Sequence, residues 1–202
     1  SNENEFSQET RMQIYGDIYD DSMWLIKLVE NLLSVTRIED GRMDLRMSAE
    51  LMDEVIAEAM RHTDRNRDGR KIEVSSDEEF ILGKMDARLI VQVVINLVDN
   101  AVKYTPEGAQ IRIHTGKKDG MVVVSVSDTG PGIPDEQKSK VFDMFYTGTN
   151  RAADGRRSLG LGLGLCRSII RAHGGEIWVS DNKPQGAVFT FTLPAEEVTL
   201  HE

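Results

Sequence analysis

The apolar positions of this chain change period several times, and each change marks an element. From Gln8 to Glu39, residues Ile14, Ile18, Leu25, Leu28, Leu32 and Val35 fall near three- and four-residue spacing. That spacing predicts one long helix, stopped at Asp40-Gly41. Its apolar stripe has no second helix next to it in the sequence, so it needs burial against a partner elsewhere. Met43–Met47 alternates and predicts a strand, and Ser48 predicts the cap of a helix carrying Leu51, Val55, Ile56 and Ala59. Strand-like pieces follow at Ile72–Val74 and Phe80–Leu82. Asp86 predicts the cap of a strong helix from Ala87 to about Tyr104, closed by Thr105-Pro106. Ile111–Thr115 and Met121–Ser127 read as a hairpin joined at Lys117–Gly120. The stretch from Asp128 to about Gly160 is loop-rich, with a short helix near Asp135–Val141. A helix over Leu161–His173 and strands at Ile177–Val179 and Val188–Leu193, joined by a turn at Asp181–Gly186, complete the pattern. The order is one long helix, then a mixed α+β domain from about residue 43, with no internal repeat.

Composition narrows the classes. At 40% hydrophobic residues the chain can bury a real core. A net charge of −10 argues against nonspecific nucleic-acid binding, because phosphate backbones attract basic faces. One cysteine excludes an internal disulfide and a cysteine zinc cluster. No apolar run approaches the roughly 18 residues of a spanning helix, which predicts a soluble, cytoplasmic chain. The charge is uneven. Residues 1–40 hold nine acids and three bases, whereas 146–172 hold five arginines and one aspartate. A local basic stretch in an acidic chain points either to an anionic ligand or to a solvated loop.

Three patterns carry chemistry. Asn96, Asn100 and Lys103 stand at i, i+4 and i+7 and share one helix face. Two carboxamides in line with a lysine suit phosphates and a hydrated magnesium ion, which takes oxygen ligands and keeps several waters; a solvent-facing stripe is the plain alternative. Asp128-Thr-Gly130-Pro-Gly132-Ile-Pro134 follows a valine-rich strand. A carboxylate at a strand end accepts hydrogen bonds only and so fits an exocyclic amine such as that of adenine, while the glycines let backbone pass close to a ligand. An aspartic-protease reading needs two paired carboxylates, and only one such triplet is present. Leu159-Gly160-Leu161-Gly162-Leu163-Gly164 opens the last long helix. Free amides at a helix start attract anions, and Arg151, Arg156 and Arg157 precede it as lid or phosphate candidates. It is neither a Walker A loop nor a dinucleotide fingerprint. Cys166 reads as a small core residue and His173 as a helix-end residue.

In order and spacing, residues 86–193 resemble the ATP-binding domain of sensor histidine kinases, within the superfamily of gyrase-, Hsp90- and MutL-type ATPases. Asn96–Tyr104 matches the N box, Asp128–Gly132 the G1 box, Phe142–Phe145 the F box and Gly160–Leu163 the G2 box. The long helix, with Trp24–Leu33 and Thr36-Arg37, resembles the second helix of the dimerisation and phosphotransfer hairpin. Its wording, with Leu165–Gly175, is most similar to KdpD-type potassium-sensing kinases.

This resemblance implies a two-layer α/β sandwich of the Bergerat type preceded by one long helix. It divides the chain into a partial dimerisation region, 1–42, and a catalytic domain, 43–202. It implies ATP and Mg²⁺ as ligands. Asp128 would bind the adenine amine, with Gly130 and Gly132 in its turn and Tyr104 lining the base or ribose. Asn100 would hold magnesium, Asn96 support it, and Lys103 contact phosphate. Gly160 and Gly162, with Leu161 and Leu163, would bring amides to the triphosphate; Phe142 and Phe145 of the F box are further ATP-site candidates or plain core residues. The implied reaction is γ-phosphoryl transfer to a histidine and then to a KdpE-like response regulator, in a homodimeric parent anchored in the membrane. Two departures stand out. Ser158 and Leu159 occupy the positions where the G2 box usually begins, and none of His62, His114, His173 or His201 has the context of a phosphoacceptor. The chain is therefore expected to bind ATP without labelling itself. A hydrolytic ATPase and a non-catalytic nucleotide-binding module are the alternatives.

Overall fold

The computed structural model describes residues 7–40, 44–63, 70–147 and 160–197. The elements in chain order are α1 (Gln8–Glu39), β1 (Ser48–Leu51), α2 (Met52–Thr63), β2 (Lys71–Ser76), β3 (Leu82–Met85) and α3 (Ala87–Tyr104). They continue with β4 (Gln110–Lys118), β5 (Met121–Asp128), α4 (Asp135–Lys138), α5 (Gly162–Ala172), β6 (Ile177–Asp181) and β7 (Ala187–Pro194).

Five strands form a mixed sheet in the order β2-β4-β5-β7-β6, in which β2 and β4 run parallel and the other neighbours antiparallel. β5 buries every second residue, Val122, Val124, Val126 and Asp128, as expected of a sheet covered on one face. That face packs under α2, α3 and α5. Ile90, Val93, Val94, Leu97 and Val98 of α3 meet Ile111, Ile113, Phe191 and Leu193 of the sheet in one core. Two layers with a single apolar interface are what these periods dictate. A short ribbon of β1 and β3 closes one end, and Gly83 bridges to Ala195 at the end of β7.

The sequence pattern misplaced a few local features. Residues 44–47 form no strand, and Ser48 opens β1 instead of capping a helix. A strand can pair there because Ser48–Leu51 finds β3, and the helix starts only at Met52, whose N–H bonds to the Ile81 carbonyl. Asp86 precedes α3 but its side chain caps nothing. Its buried carboxylate instead accepts the Arg46 amide at 3.1 Å and the Arg88 guanidinium at 3.0 Å. Burial works against that charge, but the Arg88 contact and the Arg46 amide outweigh it and hold the carboxyl below its ordinary value.

The helix α1 differs from the rest. Ile14, Tyr15, Ile18, Tyr19, Leu25, Ile26, Val29 and Leu32 are exposed, while Leu28, Asn31, Ser34 and Ile38 toward its C-terminal end are partly buried and Ile38 packs on the core. A hollow of about 350 Å³ lies between those turns and α3 and α5, with Glu30, Arg37, Arg88, Gln92 and Leu165 among its walls. No helix among the described residues is long and apolar enough to cross a membrane.

Candidate functional site

The site is built where β5 ends, beside the last turn of α3. Asp128 closes β5 on its buried face and is 7% exposed. Two backbone amides converge on its Oδ1, that of Gly130 at 2.9 Å and that of Ala187 at 3.3 Å. Among the described residues no donor meets Oδ2, which stands open to a ligand N–H. Burial raises the carboxyl above its ordinary value against the opposing pull of the two amides. A ligand that donates to Oδ2 supplies the stabilisation that burial has removed.

Two glycines make this turn possible. A Cβ at Gly130 would sit 2.8 Å from Thr105 Cγ2 and 3.0 Å from Asp128 Oδ1. Gly132 has φ +76°, a left-handed conformation that side chains strain. The turn is thereby pressed against the end of α3, where Tyr104 stands half exposed and Lys103 Nζ lies 5.2 Å over its ring.

One turn of helix further back lies Asn100, half-buried and without a hydrogen-bond partner among the described residues. Asn96 is engaged. Its Oδ1 accepts from Gln92 at 3.2 Å, and its Nδ2 lies 3.5 Å from the Gly162 carbonyl and 3.7 Å from Cys166 Sγ. It therefore joins α3 to the first turn of α5. Burial pushes the Cys166 thiol up to about 12, so this sulfur is a packing group and a weak acceptor. The start of α5 has no side-chain cap, and among the described residues no acceptor meets the amides of Gly162 and Leu163. A Cβ on Gly162 would touch the Asn96 carboxamide at 3.8 Å, so this face of α5 is bare beside the α3 amides.

The two phenylalanines part company. Phe142 is buried and meets Phe189 edge to face, with centroids 6.0 Å apart, so it anchors the segment in the core. Phe145 is exposed, with φ +62°, and its amide donates to the Gly160 carbonyl at 3.1 Å. Gly160 itself has φ +65°, and the Tyr146 backbone occupies the place of a side chain. Leu161 is buried and Leu163 half-buried, so they contribute backbone. Arg151, Arg156 and Arg157, and the departures at Ser158 and Leu159, lie outside the described residues. His201 does too. His62 pairs with Glu58 and His114 with Asp77.

His173 is 3% exposed, and its two ring nitrogens have different partners. Nδ1 lies 2.8 Å from the Ile169 carbonyl and Nε2 accepts the Asp86 amide at 3.0 Å. That arrangement assigns the neutral Nδ1–H tautomer. Burial depresses the imidazole below its ordinary value, against the Ile169 bond and the Asp86 charge. The residue fixes the far end of α5.

Sequence reasoning passed over one group. The turn between β6 and β7 reaches the Asp128 loop: Asn182 Nδ2 donates to the Asp128 carbonyl at 2.7 Å, and Gln185 Nε2 to the Gly130 carbonyl at 2.9 Å. Gly186, at φ +120°, lies so close that a Cβ would overlap the Asp128 carbonyl. Asn and Gly in a turn carry no signal of this, because the contact spans more than fifty residues.

The chain is similar to known proteins in sequence and in fold. The family model of histidine kinase-, DNA gyrase B- and HSP90-like ATPases matches residues 85–197. The sensor protein KdpD of Clostridium acetobutylicum is 40% identical over 94% of this chain and 21% of its own length. The adaptive-response sensory kinase SasA of Gloeothece citriformis is 32% identical over 92% of this chain and 48% of its own. The chain thus spans about a fifth to a half of the length of these curated relatives. The solved catalytic domain of the histidine kinase ThkA is 33% identical, with a TM-score of 0.63, covering 75% of this chain and 97% of that domain. ThkA in complex with the response regulator TrrA is 29% identical, with a TM-score of 0.75, over 96% of this chain and 54% of that one. With the family match and the two-layer fold in agreement, the chain belongs to the histidine kinase-, gyrase B- and HSP90-like ATPase family, as the ATP-binding domain of a sensor histidine kinase.

Proposed function

We propose that this domain holds ATP between the Asp128 turn and the uncapped start of α5, and serves as the phosphoryl donor of a longer kinase. One observation carries the reading: both backbone donors meet Asp128 on Oδ1, leaving Oδ2 for the amine of a base. From there Tyr104 borders the base or ribose. Lys103 and the open amides of Gly162 and Leu163 receive the phosphates, whose charge a helix start favours. The donor set fits magnesium. Asn100 offers one amide oxygen without a protein partner, and among the described residues no group of three or more His, Cys, Asp or Glu could hold an ion alone. Asn100 would be the protein ligand of an ion whose remaining ligands are phosphate oxygens and waters, as magnesium prefers. When bound it neutralises charge on the phosphoryl oxygens.

The residues position and do not react. Phosphoryl transfer depends on alignment and charge stabilisation, which is what this donor set supplies. The acceptor we propose is a histidine other than those of this sequence, because His173 is locked in the core and none of His62, His114, His173 or His201 has the context of a phosphoacceptor. A response regulator, of the KdpE-like kind by similarity to KdpD, receives the phosphoryl group. α1 with its exposed apolar residues serves as one helix of a homodimeric hairpin, in a membrane-anchored, potassium-sensing parent. The hydrolase alternative needs a base to activate water, and Asn96, an amide already bonded to Gln92, cannot take a proton.

Calorimetry with a nonhydrolysable ATP analogue, with and without Mg²⁺, tests the reading. Asp128→Asn should weaken binding by about 1.5–3 kcal/mol, the worth of a hydrogen bond to a charged group. Equal affinity in wild type and Asp128→Asn would defeat it, as would rapid steady phosphate release from ATP.

A further inference from the structure

The Asp128 loop is held from outside by a turn with no place in the nucleotide reading. We infer that Asn182 and Gln185, on the β6–β7 turn, are positioning residues that set base selectivity by fixing where Asp128 presents its free oxygen. The inference rests on Asp128 being the base acceptor.

The geometry is a clamp on three sides. Asn182 Nδ2 caps the carbonyl of Asp128 itself, at 2.7 Å, and Gln185 Nε2 caps the carbonyl of Gly130, two residues on. The Ala187 amide, immediately after the turn, reaches Asp128 Oδ1 at 3.3 Å. The turn is braced in its own right. The Asn182 amide bonds the Gly186 carbonyl at 3.0 Å, and Asn182 Oδ1 accepts the Lys183 amide at 2.9 Å. Asn182 thus uses both ends of its carboxamide, one to hold the turn and one to hold the Asp128 loop. Without it, Gly130 and Gly132 would leave that loop free to shift, since glycine imposes little conformational restriction. Gln185 is itself exposed, so its bond is unneeded for burial, and its consequence is the position of the Gly130 carbonyl.

Base selectivity depends on that position. Adenine presents an amine donor where guanine presents a carbonyl acceptor. A carboxylate oxygen held in line welcomes the first and repels the second, and a displaced one does neither. Loss of the clamp therefore erodes the discrimination between ATP and GTP, while the phosphate contacts on α3 and α5 stay intact. A turn that merely stabilised the fold would lower both affinities together.

The test measures dissociation constants of nonhydrolysable ATP and GTP analogues with Mg²⁺, for wild type, Asn182→Ala, Gln185→Ala, Gln185→Glu, Gln185→Lys and Asp128→Asn. Melting temperatures identify any variant that fails to fold; Gln185, being exposed, supplies variants that remain folded. Each alanine variant should lose about twofold to tenfold in ATP affinity, the loss of one neutral hydrogen bond, while GTP affinity holds or rises as the repulsion fades. Gln185→Glu, which sets an acceptor against an acceptor, should lose at least as much as Gln185→Ala, and Gln185→Lys, which restores a donor, should recover part of it. If wild type and Asp128→Asn bind both analogues alike, the base-acceptor reading fails and the clamp falls with it. If Asp128→Asn abolishes discrimination while Gln185→Ala and Gln185→Glu retain it in full, the base-acceptor reading stands and the clamp is overturned.

Discussion

The two ends of the proposed nucleotide site are built on opposite plans. At the base end the polar groups that flank Asp128 are engaged. Its carbonyl and that of Gly130 are capped, and its Oδ1 takes two amides. At the phosphate end the groups are open: Asn100 is unpartnered among the described residues, the Asn96 contacts stretch to 3.5 and 3.7 Å, and α5 starts uncapped. Discriminating one base from another requires a fixed acceptor, because an unpaired or misplaced polar group is what rejects the wrong ligand. Binding a triphosphate requires donors that wait for charge, and a helix start provides them without further structure. The same helix shows the contrast within itself, since α5 is open at Gly162 and locked at His173.

If the base end is rigid by construction, breaking it should cost the fold. The largest effect belongs to Gly186→Ala. Its Cβ would overlap the Asp128 carbonyl, and φ +120° is a region that side chains avoid. The expected loss is on the order of 3 kcal/mol in urea denaturation. A loss well under about 1 kcal/mol would show that the base end gives way as readily as the phosphate end.

The locked end of α5 comes next. His173→Ala leaves the buried Asp86 amide unpaired and should cost about 2 kcal/mol. It also has a pH signature. Burial lowers the imidazole of the folded protein below its ordinary value, so the unfolded chain takes up the proton first. The contribution is complete above about pH 6.5 and is lost as pH falls through the folded value. Asp86 works in a lower window. Its depressed carboxyl keeps its contribution above the ordinary aspartate range and loses it in stronger acid. Wild-type stability should therefore decline between neutral pH and about pH 5, and His173→Ala should flatten that decline. Parallel curves for the two proteins would mean that the imidazole titrates equally in both states.

The phosphate end was legible in the sequence and the base end only in part, for a physical reason. Asn96, Asn100 and Lys103 are polar residues on one helix face, and helical spacing alone places them together. The glycines before α5 announce themselves through the helix start. Asp128 was visible as the end of a valine-rich strand, but its fixing partners come from a turn read only as a turn. Which strand lies beside which is tertiary information, and β7 meets β5 through pairing that local pattern does not encode. The same limit explains Ser48 and Asp86. Each carries good capping chemistry, yet a strand partner claimed one and an arginine the other. Phe142 and Phe145 looked alike in sequence, and only packing separates the core ring from the exposed one.

Asp128→Asn sharpens the comparison further by separating affinity from stability. The substitution keeps an oxygen for the Gly130 and Ala187 amides, so the turn should survive. The folded carboxyl holds its proton to higher pH than the unfolded one, because burial disfavours its charge. Ionisation therefore opposes folding as pH rises through the folded value, and an amide removes that cost. Melting at pH 7 should show the variant no less stable than wild type, even as its ATP affinity collapses. A clear fall in melting temperature would mean that the charge itself holds the turn.

The smallest expected effect on the fold lies at the open end, with Asn100→Ala. Asn100 has no partner to lose among the described residues, and alanine is the better helix former by about 0.5 kcal/mol. Stability should be unchanged or raised within that margin. Ligand binding should respond in the opposite sense. Wild type should bind the ATP analogue more tightly with Mg²⁺ than with EDTA, and Asn100→Ala should bind it equally weakly in both. A destabilised Asn100→Ala protein would place this residue among the structural contacts, and the phosphate end would no longer be the open one. A stable variant that kept its full response to Mg²⁺ would leave the openness intact but move the ion to another ligand. A stable variant with no response to Mg²⁺ is the outcome the contrast requires: at this end the sequence has reserved its polar groups for the ligand, and their removal costs the protein nothing until the ligand arrives.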